Sequence, residues 1–114
     1  MKGKPGIGTA IPRRRYRLGE FTITVLGEIE STDGRDYRYI AGITDARDPE
    51  PGMYVTAERG RRGEALDMRI IMRDGAEVID TSDAWADLDA FVEEVIRIAS
   101  KILRLSDETA YRLM

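Results

Sequence analysis

The spacing of apolar residues changes once along this chain, and that change restricts the fold more than any motif does. From Tyr16 to Thr81 side chains alternate in character at every second position. From Ser82-Asp83 onward apolar residues recur every 3.6. A chain of 114 residues has room for one core, so the strands of the first part and the helix of the last must cover each other. The expected fold is α+β, a five-stranded antiparallel β-meander with one long C-terminal helix packed on one face, in the order βββββα.

The strands are placed by their alternation and by the turns between them. Phe21, Ile23, Val25 and Ile29 fall on one side of a first strand, opposite Thr22, Thr24, Glu28 and Glu30. Asp33-Gly34 is a hairpin turn, after which Tyr37, Tyr39, Ala41 and Ile43 alternate with Arg38, Ile40, Gly42 and Thr44. Asp48-Pro49-Glu50-Pro51-Gly52 is a loop, because two prolines remove ladder donors. A third strand runs from Met53 to Arg59, Gly60-Arg61-Arg62-Gly63 turns the chain, and Leu66, Met68, Ile70 and Met72 alternate through a fourth. Asp74-Gly75 makes a two-residue turn into a short fifth strand, Ala76 to Thr81.

In the helix, Leu88, Val92, Val95, Ala99 and Ile102 form one line, and their apolar flanks widen the arc to about half the circumference, against the ~100° usual for a helix resting on a core. Such a helix can bury itself against two things. Its expected range is 84–104, capped by Ser82 or Asp83, with Trp85 closing the edge of the core. Leu105-Ser106-Asp107 breaks it, and Glu108 to Leu113 forms a last short turn. The core then consists of this stripe laid over Phe21, Ile23, Val25, Tyr39, Ile43, Val55, Met68, Ile70 and Val78.

Charge is unevenly distributed. Residues 1–17 carry Lys2, Lys4, Arg13, Arg14, Arg15 and Arg17 and no acid, although the whole chain has a net charge of −3. Glycine and proline among small residues offer little to bury, so residues 1–15 read as a flexible basic N-terminal arm and 16–114 as a single α+β domain. Asp74 to Ile96 holds eight acids and no Lys or Arg. The chain has no cysteine and no histidine, which removes disulfides, thiolate nucleophiles, imidazole bases and the usual zinc ligands. Asp80, Asp83 and Asp87 are hard oxygen donors, but helix capping and a solvated acidic face account for them, so no metal and no cofactor is expected. No stretch reaches the roughly 20 apolar residues of a membrane span, and the leader reads as neither signal nor twin-arginine peptide. A cytoplasmic, membrane-free protein is expected.

Two surfaces have functional potential. Leu26, Ile40, Tyr54, Ile71 and Ile79 share the out-facing parity of the sheet. They read as scattered surface hydrophobes, as a self-association face or one covered by the tail, or as a ligand-contacting surface. The basic arm, with Arg13, Arg14, Arg15 and Arg17, together with Arg38, Arg69 and Arg73 on the strands, could follow a phosphate backbone, with tyrosines for base stacking. Interleaved acids and an acidic body oppose that.

The meander followed by Thr81-Ser82-Asp83-Ala84-Trp85 and an amphipathic helix carrying Leu88 and Phe91 resembles the Whirly-type and transcriptional-coactivator-type single-strand-binding proteins over residues 53–103. That resemblance implies helix-mediated dimers and nucleic-acid binding on the sheet, although the lysine-rich strand surface of those families is missing here. The function expected is that of a small non-catalytic binding or adaptor protein, not an enzyme. It would act through self-association as a homodimer and through a protein partner, with single-stranded nucleic-acid binding through the basic arm and open sheet face as the alternative.

Overall fold

A computed structural model describes residues 3–60, 63 and 65–114. The turn expected at Gly60-Arg61-Arg62-Gly63 and the first two residues of the basic arm therefore lie partly or wholly outside the described residues. The elements are β1 (Ile7–Leu18), β2 (Phe21–Ser31), β3 (Tyr37–Asp45), β4 (Met53–Arg59), β5 (Leu66–Met72), β6 (Gly75–Ser82), a 3-10 turn (Asp83–Ala86), α1 (Leu88–Ile102) and β7 (Tyr111–Arg112). All strand pairs are antiparallel in one sheet of order β6-β5-β4-β3-β2-β1-β7.

The class and the C-terminal helix are as expected, but the sheet has seven strands, not five. The first extra strand is most of the segment read as a flexible arm. Residues 7–18 pair with β2, with Tyr16 opposite Ile23 and Leu18 opposite Phe21. Tyr16 and Leu18 are buried in the main core, and the strand extends back from them through Arg13-Arg14-Arg15, where three successive arginines show no apolar alternation. The other is β7, where a helical turn was expected. Tyr111 and Arg112 pair with Arg17 and Tyr16, because the open side of β1 offers unpaired backbone groups to the returning chain.

The helix begins later than expected. Ser82 Oγ accepts from the Ala84 N–H and starts the 3-10 turn. Asp87 then caps α1 by accepting from the Ala90 N–H at 2.9 Å. Phe91, Val92, Val95, Ile98 and Ala99 bury one face of α1 on Ile23, Val25, Tyr39, Ala41, Val55, Ala57 and Met68, and the Phe91 and Tyr39 rings lie 5.4 Å apart. Trp85 is buried at the margin of this core, as expected. The wide apolar arc is used on one layer: Leu88, Ile96 and Leu103 pack on the same cluster as partly buried flanks.

Three residues given to the helix side lie elsewhere, each beside a ladder irregularity. The β2 ladder to β1 shifts register around Glu28, whose φ is +47°, and Ile29 packs on the other face. A shift between Tyr37 and Tyr39 puts Tyr37 on that face too. In β6 the register slips between the partners of Met68 and Arg69, so Val78 pairs with Arg69 and is 52% exposed. One extra residue in a strand reverses the parity of everything beyond it.

Candidate functional site

The sheet buries residues on both faces. Away from the helix, Tyr37, Ile40, Tyr54 and Ile71 form a second cluster with Ile29 against it, and Thr56, Glu58 and Arg69 are buried on the same face. The five residues read as a self-association face are therefore divided. Ile40, Tyr54 and Ile71 are already covered by their own chain, Leu26 is half-buried, and Ile79 is 39% exposed on β6. As a set they do not form an exposed face.

The polar groups of this second face form a chain of contacts. Glu58 stands directly across the ladder from Asp67, a like-charge pairing that would be unfavourable alone. Its diagonal neighbour Arg69 relieves it: the Arg69 Nε donates to Glu58 Oε1 at 2.5 Å, and Arg35 approaches the same oxygen at 3.5 Å. Arg69 also donates to the Tyr37 hydroxyl at 3.3 Å, and that hydroxyl donates to Asp33 Oδ2 at 2.6 Å. Glu58 Oε2 and Thr56 Oγ1 have no hydrogen-bond partner among the described residues.

Burial, then the hydrogen bond to Asp33, pushes the Tyr37 phenol far above its ordinary value. At Asp33 burial works to raise the carboxyl. Hydrogen bonds from Tyr37 and from the backbone of Gly6 and Arg35 outweigh it and hold the group below the usual aspartate range. Burial also raises Tyr54. These shifts lock protonation states rather than bring them near neutrality. Tyr37, already donor and acceptor at once, is placed to hold structure rather than to transfer a proton.

Beside this network a cavity of about 640 Å³ is lined by Glu58, Asp67 and Arg69 and by Ala76, Val78 and Thr81 of β6. Asp67 Oδ1 accepts from the hydroxyl of its ladder partner Thr81 at 2.7 Å. Beyond the cavity lies the edge of the sheet. All residues of β6 except half-buried Ser82 are exposed, and among the described residues β6 pairs only with β5. Val78 and Ile79 stand among Asp74, Glu77, Asp80 and Asp83 there, with no lysine, arginine or proline in the strand.

The arginines proposed for nucleic acid do not share a surface. Arg14 points to the helix side and binds Asp89 at 2.6 Å. Arg15 lies on β1 with its Nε 3.4 Å from Thr24 Oγ1, and Arg17 donates to the Gly19 carbonyl. Arg13 lies over Gly27, Arg38 stacks on the Tyr39 ring at 5.5 Å, Arg69 is buried with Glu58, and Arg73 is in the β5–β6 turn. Among the described residues no group of three or more acids is disposed to hold a metal, and no helix is long and apolar enough to cross a membrane.

Sequence reasoning missed Glu58, Tyr37 and Asp33 as one network. Glu58 shares the even spacing of out-facing Tyr54, a position where an acid normally meets water, and the shift that brings Tyr37 to it leaves no mark on the pattern. Neither any family model, nor any curated protein, nor any solved structure matches this chain.

Proposed function

We propose that this is a non-catalytic protein-binding molecule that receives an extended, basic segment of a partner along the open edge of β6. The observation that carries the reading is the edge itself, eight residues long, with two exposed aliphatic side chains and without the lysines or prolines that commonly blunt such edges. An added strand gains main-chain hydrogen bonds along its length, while side chains on alternate positions meet Val78 or Ile79.

Charge selects among partners. The acids that flank the edge, in a stretch from Asp74 to Ile96 free of lysine and arginine, favour a segment bearing basic side chains and speed its encounter. They weigh against a second copy. Two-fold pairing centred between Val78 and Ile79 sets Glu77 across from Asp80 twice, and like charges directly opposite are destabilising. The homodimer expected from the sequence is thus less favoured at this edge than a basic partner segment.

Single-stranded nucleic-acid binding in the Whirly manner is the alternative. It draws no support from arginines divided between two faces, several of them engaged within the chain.

The test uses a ten-residue peptide of alternating lysine and valine, titrated calorimetrically against the full chain. Saturable binding that weakens with salt is expected, as is a loss of at least about tenfold in the Val78→Lys/Ile79→Lys double variant. Absence of saturable binding, or equal affinity in the double variant, would overturn the proposal.

A further inference from the structure

Residues 3–6 precede β1 and belong to no strand, yet they cover part of the second face. In the ladder β1 and β5 are separated by three strands, so contact between the segment leading into β1 and β5 requires that segment to cross the face. It does so. A Cβ built on Gly3 would lie 3.6 Å from Ala76 Cβ and 3.8 Å from Ile71 Cγ2. Two residues on, Pro5 is buried. The Gly6 N–H then donates to Asp33 Oδ2 at 2.9 Å and its carbonyl accepts from the Thr32 N–H at 2.9 Å.

The fit is specific. A Cβ on Gly6 would meet Thr32 Oγ1 at 2.5 Å and Asp33 Cβ at 3.1 Å, so only glycine passes there. Gly3 has φ +79°, again a glycine conformation. The Asp33 oxygen that takes the Gly6 N–H also takes the Tyr37 hydroxyl, which connects the segment to the buried Arg69–Glu58 pair. The attachment is nonetheless small: one buried proline ring, one close glycine and two hydrogen bonds hold four residues whose ordering costs conformational entropy.

We propose that residues 3–6 form a releasable strap, and that the face beneath is a docking groove for an extended, proline-containing segment of another protein, which the strap imitates. The chemistry of recognition is what the strap displays: a buried proline, a following glycine at the Thr32-Asp33 constriction, a backbone N–H for the Asp33 carboxylate and a backbone carbonyl for the Thr32 N–H. A proline-containing segment is partly pre-ordered and loses less entropy on docking. The strap competes as a tethered ligand at an effective concentration on the order of millimolar, so an outside segment enters only where the strap is loosened or the segment binds more tightly. The groove is distinct from the β6 edge and does not depend on it.

The experiment adds a peptide copy of residues 3–8 (Gly-Lys-Pro-Gly-Ile-Gly) to the full chain, to Gly6→Ala and to Pro5→Ala, following the amide resonances of Thr32 and Ala76. Both variants are expected to melt cooperatively, to exchange the Thr32 amide faster than wild type, and to bind the peptide saturably at least tenfold more tightly than wild type does. A peptide with alanine for proline should lose that binding. The proposal is overturned if the variants bind no peptide, if wild type binds it equally well, or if the alanine peptide binds as tightly. Loss of cooperative melting in both variants would equally overturn it, since the segment would then be an integral part of the fold.

Discussion

The two faces of the sheet are buried by different means. On the helix side, seventeen of the described residues are buried in one cluster with apolar flanks, made by the sheet, one face of α1 and Trp85 of the 3-10 turn. On the other side, four buried apolar residues lie beside Thr56, Glu58 and Arg69, and a strand-less segment is part of the cover. Burial of apolar surface is non-directional and tolerates many arrangements. A buried ion pair does not, because each charge must keep its partner. The helix face should therefore hold the larger share of stability, and the second face should hold the more geometry-dependent part.

The largest effect expected from this contrast is on the helix face. Phe91 is fully buried and packs on Tyr39, so Phe91→Ala should cost about 3–5 kcal/mol in chemical denaturation, and Val95→Asp should abolish the cooperative transition by placing a charge in the core. Near-wild-type midpoints for both would mean that the two faces do not differ as described.

The second face should respond in a different way. Breaking the pair with Glu58→Gln or Arg69→Met leaves a buried charge behind, and each single change is expected to cost roughly 3 kcal/mol. The double variant should recover much of that loss, because both charges leave together. Additive losses in this double-mutant cycle would show that Glu58 and Arg69 act independently. No comparable recovery is expected for a pair of truncations on the helix face.

Legibility in the sequence divides along the same line. The helix face was readable because Ile23, Val25, Tyr39, Ile43, Val55 and Met68 keep strict parity and α1 keeps its 3.6 period. Alternation was legible from Tyr16, but the arginines and glycines before it gave residues 1–15 the composition of a tail. The second face was unreadable for a physical reason. Its membership depends on ladder irregularities next to Ile29, Tyr37 and Val78, which are set by local twist and by what each side chain meets after folding. Pairing of Glu58 with Arg69 is diagonal across two strands, so it becomes visible only with the register.

The smallest expected effect is a pH dependence carried by the second face. Asp33 has a folded value below its unfolded one, so its contribution to stability is fully present above the ordinary aspartate range and is lost as the pH falls through the lowered folded value. Tyr37 behaves in the opposite sense. Its folded value is raised, so its contribution is complete below about pH 10 and declines as the pH rises past the ordinary phenol value. Asp33→Asn should flatten the acid limb of a stability profile and reduce the alkaline limb in part, and Tyr37→Phe should flatten the alkaline limb and shorten the acid one, because each group contributes to the other's shift. Ultraviolet titration of wild type should show Tyr37 ionising only together with unfolding. Because the hydroxyl of Tyr37 donates to Asp33, the two limbs report on the same hydrogen bond from opposite ends. If Asp33→Asn altered the alkaline limb as strongly as the acid one, the phenol would be held up mainly by its neighbour's charge, and burial of the second face would be less complete than the packing indicates.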